Sequence, residues 1–208
     1  MRHLTAQIVS AMGIAMALMA TANAIPAGAT ELYWGSTTLG VNTTIHATLE
    51  AGTSTLLTDT SGNPIDTCTT STVHGSLKYA GTSTTTAYGD ISELTWGAPG
   101  DPCTMTTTTV ARGQLEIHHI AGAHNGTLTG KGTVVAIQVF GNECLYGTEP
   151  TTDLGTLTGT TDTAKHATMD INAIILELPP KKFLCPDTTR WIANYTVTSP
   201  TGLNVRAS

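Results

Sequence analysis

The sequence predicts an all-β fold, and three observations carry that prediction. Threonine makes up about a fifth of the residues, far above ordinary usage. It is β-branched, loses rotamer freedom in helices and suits a half-buried pleated surface. Thr–Gly punctuation runs along the whole chain, with 21 glycines. Outside the first residues, no eleven-residue window has apolar spacing at a 3.6-residue period. Many short strands at this spacing imply a Greek-key β-sandwich, with a β-barrel as the alternative.

At the N-terminus, Arg2 and His3 precede an apolar run from Ile8 to Ala20, and Ala22-Asn23-Ala24 supplies a small-x-small cleavage signature. Residues 1–24 are therefore expected to be a helical signal peptide, leaving 25–208 as a single domain. The apolar run is too short to serve as a permanent membrane anchor. Next, Glu31-Leu32-Tyr33-Trp34-Gly35 is an aromatic segment that could complete the domain's own sheet or add to a neighbour's. Tyr33 and Trp34 are the candidate interaction residues.

Strands are then expected at Val73, Leu77 and Tyr79, at Leu94 and Trp96, and at Leu115 and Ile117. Val134–Phe140 is apolar enough for a central strand. Met169, Ile171, Ala173 and Ile175 share one face, and Ile174 and Leu176 suggest an end covered on both sides. Trp191, Ala193, Tyr195 and Val197 form the last clear apolar face. Turn residues separate these runs at Ser61-Gly62-Asn63-Pro64, Gly97–Pro102, Gly141-Asn142, Pro179-Pro180 and Pro200-Thr201-Gly202. Asn125-Gly126 is the strongest type I′ hairpin signal. One echo, Gly126-Thr127-Leu128-Thr129-Gly130 against Gly155-Thr156-Leu157-Thr158-Gly159, suggests two similar hairpin segments.

Lys and Arg number 9 against 15 Asp and Glu, a net charge of −6. Loss of Arg2 with the leader gives 8 − 15 = −7 for residues 25–208. A charge-poor, mildly acidic chain has no electrostatic footprint for nucleic acid or anionic membrane. Four cysteines remain, Cys68, Cys103, Cys144 and Cys185, and an even number in an exported chain predicts two disulfides. Three connectivities are open, of which the sequential one, 68–103 with 144–185, is favoured. Zinc would want closely spaced cysteine pairs, which this chain lacks.

The run Cys144-Leu145-Tyr146-Gly147, Asp153–Gly159, Ala167-Thr168-Met169-Asp170-Ile171, Leu184-Cys185-Pro186 and Trp191–Pro200 forms a pattern. Cys68-Thr69-Thr70-Ser71-Thr72 and Ile91–Trp96 extend it. Together they resemble a family of exported, Thr/Gly-rich bacterial proteins. Some members are named "activator of alkane oxidation", and some relatives are associated with extracellular matrix or fibres. The resemblance implies a disulfide-stapled β scaffold and brings no catalytic residue. Gly202-Leu203-Asn204-Val205-Arg206 departs from the family's usual apolar last strand.

No nucleophile elbow, zinc-binding helix motif or phosphate loop is present, and no catalytic, cofactor or metal residue is assigned. Leu56–Gly62 superficially matches an aspartic-protease loop, but no second such loop exists and the segment reads as a turn. His118 and His119 point to opposite faces of a strand, while His119 with His124 could meet across a turn. Alternating threonines (82/84/86, 106/108, 156/158/160) read as outward-facing β residues. The expectation is a non-enzymatic extracellular or cell-surface structural protein, such as a matrix, fibre or adhesion subunit. Its partners would be copies of itself or other surface components. The alternative is a secreted binding module for a small apolar ligand, lipid or glycan. Location is expected outside the membrane, with the periplasm as the nearer alternative.

Overall fold

The computed structural model describes residues 30–82, 85–98, 100 and 103–207; the expected signal peptide lies outside them. Among the described residues every regular element is a strand. They begin with β1 (Glu31–Trp34), β2 (Thr37–Thr38), β3 (Thr44–Leu49), β4 (Thr55–Thr58) and β5 (Pro64–Cys68). The long pair β6 (Ser71–Tyr79) and β7 (Ala87–Trp96) follows, then β8 (Thr107–Ala111), β9 (Gln114–His119) and β10 (Gly126–Lys131). Next come β11 (Val134–Val139), β12 (Asn142–Gly147) and β13 (Thr152–Thr158). β14 (Thr168–Glu177), β15 (Thr188–Ser199) and β16 (Leu203–Arg206) complete the set.

Eight of these strands close into a barrel: β3, β6, β7, β9, β10, β13, β14 and β15, with β15 returning to β3. All eight pair antiparallel in chain order. The all-β class is therefore as expected, in the barrel form named as the alternative to a sandwich. Closure removes the exposed edges that a sandwich would leave. The period-2 pattern of β14 and β15 explains their central place. Met169, Ile171, Ala173 and Ile175 are buried, as are Trp191, Ala193, Tyr195 and Val197, while alternate residues face out.

Five further strands are excursions between consecutive barrel strands. β4 and β5 lie between β3 and β6, β8 between β7 and β9, and β11 and β12 between β10 and β13. They gather at one end of the β14–β15 pair. β4 pairs with β15 through Arg190–Ile192, and β12 pairs with β14 at Leu176 and Glu177. This gives the order β5-β4-β15-β14-β12-β11-β8, whose edges β5 and β8 meet. Asp66 of β5, only 1% exposed, joins them. Its Oδ1 accepts from Thr104 Oγ1 at 2.9 Å and Met105 N at 2.8 Å, and its Oδ2 accepts from Thr107 Oγ1 at 2.5 Å. The Cys68–Cys103 disulfide crosses the same seam. A second, side-chain-sealed ring thus shares β14 and β15 with the barrel.

β16, β1 and β2 form a three-stranded sheet over the barrel's other end. Leu32, Leu203 and Val205 are buried there, and Val205 N donates to His124 O at 3.0 Å. The departure at Gly202–Arg206 thus supplies this cap strand. Asn204 is also buried, its Nδ2 donating to the carbonyls of Gly35 and Gly202.

Two local expectations change. β9 and β10 do pair as a hairpin, but the turn closes from Ile120 to Asn125, with Ile120 N donating to Asn125 O. Gly122, not Asn125-Gly126, takes the positive φ. The two-residue turn with both φ positive is Phe140-Gly141, at 48° and 79°. The Gly-Thr-Leu-Thr-Gly segments are neighbouring barrel strands, pairing Leu128 with Gly155 and Gly126 with Leu157. Gly155 is required there: its φ is 145°, and a Cβ would sit 1.9 Å from Asp170 O. Of the alternating threonines, Thr106, Thr108 and Thr158 are exposed as expected, but other threonines point inward. Thr55 Oγ1 accepts from Trp191 Nε1, Thr189 donates to Thr58 O, and Thr133 donates to Arg112 O. Short hydroxyls let a tightly packed all-β interior satisfy its polar groups.

Candidate functional site

The expected site residues divide cleanly. The sequential disulfides form, Cys68–Cys103 and Cys144–Cys185, and no cysteine is left free. Two such bonds suit an oxidising compartment. Tyr33 and Trp34 lie in β1, which completes the chain's own cap sheet between β2 and β16. Tyr33 donates to Glu31 Oε2 at 2.6 Å, and the Arg206 guanidinium stands 4.6 Å over its ring. Trp34 remains about half exposed.

The histidines singled out by density do not converge. His119 Nε2 is 2.9 Å from Ala123 O, and His118 Nε2 lies 3.7 Å from Glu116 and 3.5 Å from Thr129 Oγ1. Among the described residues, the group of three or more His, Cys, Asp and Glu whose ligand atoms all lie within 4.8 Å of one another is Asp66 with Cys68 and Cys103. Those sulfurs are joined to each other, which removes them as thiolate ligands. Asp59 occupies a turn of its own making. Its side-chain bond with Asn63, together with backbone bonds from Asn63, Ser61 and Gly62, holds its carboxyl below the usual range. That carboxylate is committed to the turn.

The barrel interior is nearly full. Two adjoining apolar voids of ≈60 and ≈30 Å³ lie between Val73, Ile91, Leu115 and Met169. Ligand pockets for drug-sized molecules run from roughly 300 Å³ upward. A larger open cleft of ≈430 Å³ runs over Trp96, Cys103, Met105 and Thr107 beside the sealed seam. The Trp96 indole is tied down there, Nε1 donating to Thr109 Oγ1 at 3.1 Å, with its ring 5.4 Å from that of Trp191.

The most distinctive surface lies at the end of the shared pair. The chain has two phenylalanines, and both are outside: Phe140 is 83% exposed and Phe183 100%. Burying a phenylalanine side chain stabilises by roughly 1.5–3 kcal/mol, a gain these two positions forgo. Phe140 also sits at a φ of 48°, where a bulky L-residue costs about 1–2 kcal/mol against glycine. Ile174 and Leu176 on the outer face of β14 are half exposed, as is Leu184. The expectation that the far end of β14 is covered on both sides is therefore corrected: among the described residues its outer face is covered only in part.

The loop carrying Phe183 is held firmly. Leu178 N donates to Leu145 O, Lys182 N to Glu177 Oε1, and Glu177 N to Asp187 O. Tyr146 Oη donates to Pro186 O at 3.0 Å, and the Cys144–Cys185 disulfide lies beneath. Burial, reinforced by Glu177 and Asp187, pushes the Tyr146 hydroxyl well above its usual range. The hydrogen bond to Asp187 at 2.5 Å raises Lys181 as its largest influence. Phe183 is thus an exposed ring on a preorganised loop. Phe140 is expected from sequence to end a central strand, Val134–Phe140; β11 instead stops at Val139 and Phe140 enters the exposed turn, while Phe183 lies on no alternating face that would single it out.

No family model, curated protein or solved structure matches the chain. Among the described residues, no helix is long and apolar enough to cross a membrane.

Proposed function

We propose that this is a non-enzymatic extracellular or cell-surface structural protein, a matrix, fibre or adhesion subunit, that associates through the β14–β15 end. One observation carries the reading: both phenylalanines are displayed on the surface, one at a strained turn and one on a pinned loop. Folding gains nothing from either placement, so the return is sought in contact with another surface. Ile174 and Leu176 on β14 and Leu184 beside Phe183 are further half-exposed apolar side chains, and exposed apolar patches mark association sites. The resemblance to exported matrix- or fibre-associated proteins points the same way, as do the disulfides.

The test is sedimentation of residues 25–208 across a hundredfold concentration range, beside the double variant Phe140→Asn, Phe183→Ser. Self-association in the wild type and its loss in the variant support the reading. A wild type that stays monomeric and fails to adhere to the producing cell surface refutes it.

A second reading, a binder of a glycan or small apolar ligand, is favoured by the ≈430 Å³ cleft at Trp96 and Met105. Aromatic faces beside hydroxyls suit sugar rings. Quenching of tryptophan fluorescence by oligosaccharides, abolished by Met105→Ala, would support it over the first.

A further inference from the structure

We infer that His46 and His74 form a surface site for a divalent late first-row transition ion, with Cu2+ or Zn2+ as its occupant and Glu93 orienting one ligand. The three residues form a row across adjacent barrel strands, His46 opposite His74 on β3 and β6, and His74 opposite Glu93 on β6 and β7. Directly opposed residues of antiparallel strands project on one face with Cβ atoms roughly 4.5–5.5 Å apart. Here that face is the outer one, because Ile45, Ala47 and Val73 line the barrel's internal void.

The two imidazoles already meet, their ring centroids 4.2 Å apart and their planes inclined at 55°. Glu93 Oε2 lies 2.9 Å from His74 Nδ1. A carboxylate at that nitrogen accepts a proton held on Nδ1, which leaves the Nε2 lone pair free. This is the carboxylate–histidine–metal arrangement in which the acid fixes tautomer and ring orientation. Ion binding requires His46 to turn one ring nitrogen towards His74 Nε2, across rings whose centroids are already 4.2 Å apart.

The surroundings suit a cation. Lys78, farther along β6, is taken up by Asp90 at 3.5 Å. The next row is uncharged, with Thr72 and Thr95 hydroxyls 2.6 Å apart. Two imidazoles with water completing the shell select Cu2+ and Zn2+ over Mg2+ or Ca2+, which prefer all-oxygen ligands. Two protein ligands leave coordination positions open, so the site recruits an exchangeable ion or an external ligand and is not a structural staple.

The bland account is a surface ion pair beside a stacked ring, and metal titration separates the two. Residues 25–208 are titrated with CuSO4 and separately with ZnCl2 by calorimetry, and the Cu2+ complex is examined by electron paramagnetic resonance. The expected result is one dominant site with nitrogen coupling in the spectrum. His46→Ala and His74→Ala should each weaken it by at least about tenfold, and Glu93→Gln by roughly tenfold with stoichiometry kept. His119→Ala should leave it unchanged. Circular dichroism of the metal-free variants checks that each is folded. Absence of a dominant site, or binding that survives either His46→Ala or His74→Ala at wild-type strength, overturns the inference.

Discussion

Removing the Asp66 carboxylate should break the seam of the second ring and cost a large share of the domain's stability. In Asp66→Ala, the hydroxyls of Thr104 and Thr107 and the backbone N–H of Met105 lose their acceptor, while Thr67 N–H keeps Thr104 Oγ1 at 2.9 Å. Hydrogen bonds to a charged group contribute roughly 1.5–3 kcal/mol each. Thr104 is itself exposed, so water replaces part of what is lost there. The bonds from Met105 N and Thr107 Oγ1 therefore dominate, roughly 3–6 kcal/mol together, and breaking a buried charge network typically costs about 3–5 kcal/mol. We expect about 4 kcal/mol, against total stabilities of roughly 5–15 kcal/mol for domains in general. That corresponds to a fall in Tm of roughly 8–16 °C. Asp66→Asn keeps one acceptor oxygen and should cost about half as much. The assay is urea unfolding of the oxidised protein followed by tryptophan fluorescence. Cys68→Ala with Cys103→Ala opens the same seam, so combining it with Asp66→Ala should be non-additive by at least about 0.5 kcal/mol. A loss below about 1 kcal/mol for Asp66→Ala, or strict additivity with the disulfide variant, would refute the idea that Asp66 seals the ring.

Alkali should expose two silent tyrosines. Burial holds the Tyr195 hydroxyl up at about 12, and Tyr146 is raised as well. A raised phenol favours the fold while it stays protonated, so this stability is complete below pH ~10 and is lost as pH climbs towards 12. Titration at 295 nm should show two phenols that ionise only with unfolding, a fraction lost when Tyr146→Phe and Tyr195→Phe are combined; a wild-type titration without that late fraction would contradict this. Phe140→Asn should raise stability by roughly 0.5–1 kcal/mol, since asparagine tolerates the left-handed turn and little burial is forfeited. A destabilised variant in thermal melts would count against strain at that turn. Replacing Cys144 and Cys185 by serine should cost about 3–4 kcal/mol by chain entropy and loosen the Phe183 loop, seen as faster amide exchange at residues 178–187. Gly155→Ala should lose more than about 2 kcal/mol by chemical denaturation, since its Cβ would collide with Asp170 O.

The fold was legible where faces alternate. Trp191 to Val197 and Met169 to Ile175 point inward as their spacing predicts. The sequence could not choose sandwich or barrel, because β15 supplies the same buried face to either. Closure depends on its pairing with β3, whose residues lie some 150 positions away. The Asn-Gly signal misplaced a turn because Asn125 serves another role, its Oδ1 accepting from Gly159 N at 3.1 Å. Ile174 and Leu176 looked covered because apolarity on both faces does not say whether the cover belongs to the same chain. The His46–His74–Glu93 row left no trace in local spacing. It exists only through register between three strands.

Two rings sharing β14 and β15 also fix the order of events when the chain folds. Delivered N-terminus first, it can pair β6 with β7 early and bring Cys68 towards Cys103, but these form only an unclosed ribbon. Neither ring gains its last seam until Thr188–Ser199 arrives, since that strand alone touches β3, β4 and β14. For most of its synthesis the polypeptide is therefore a thread with open margins, kept from premature compaction by its own topology. β15 then closes both circuits, and β16 adds the cap strand after it.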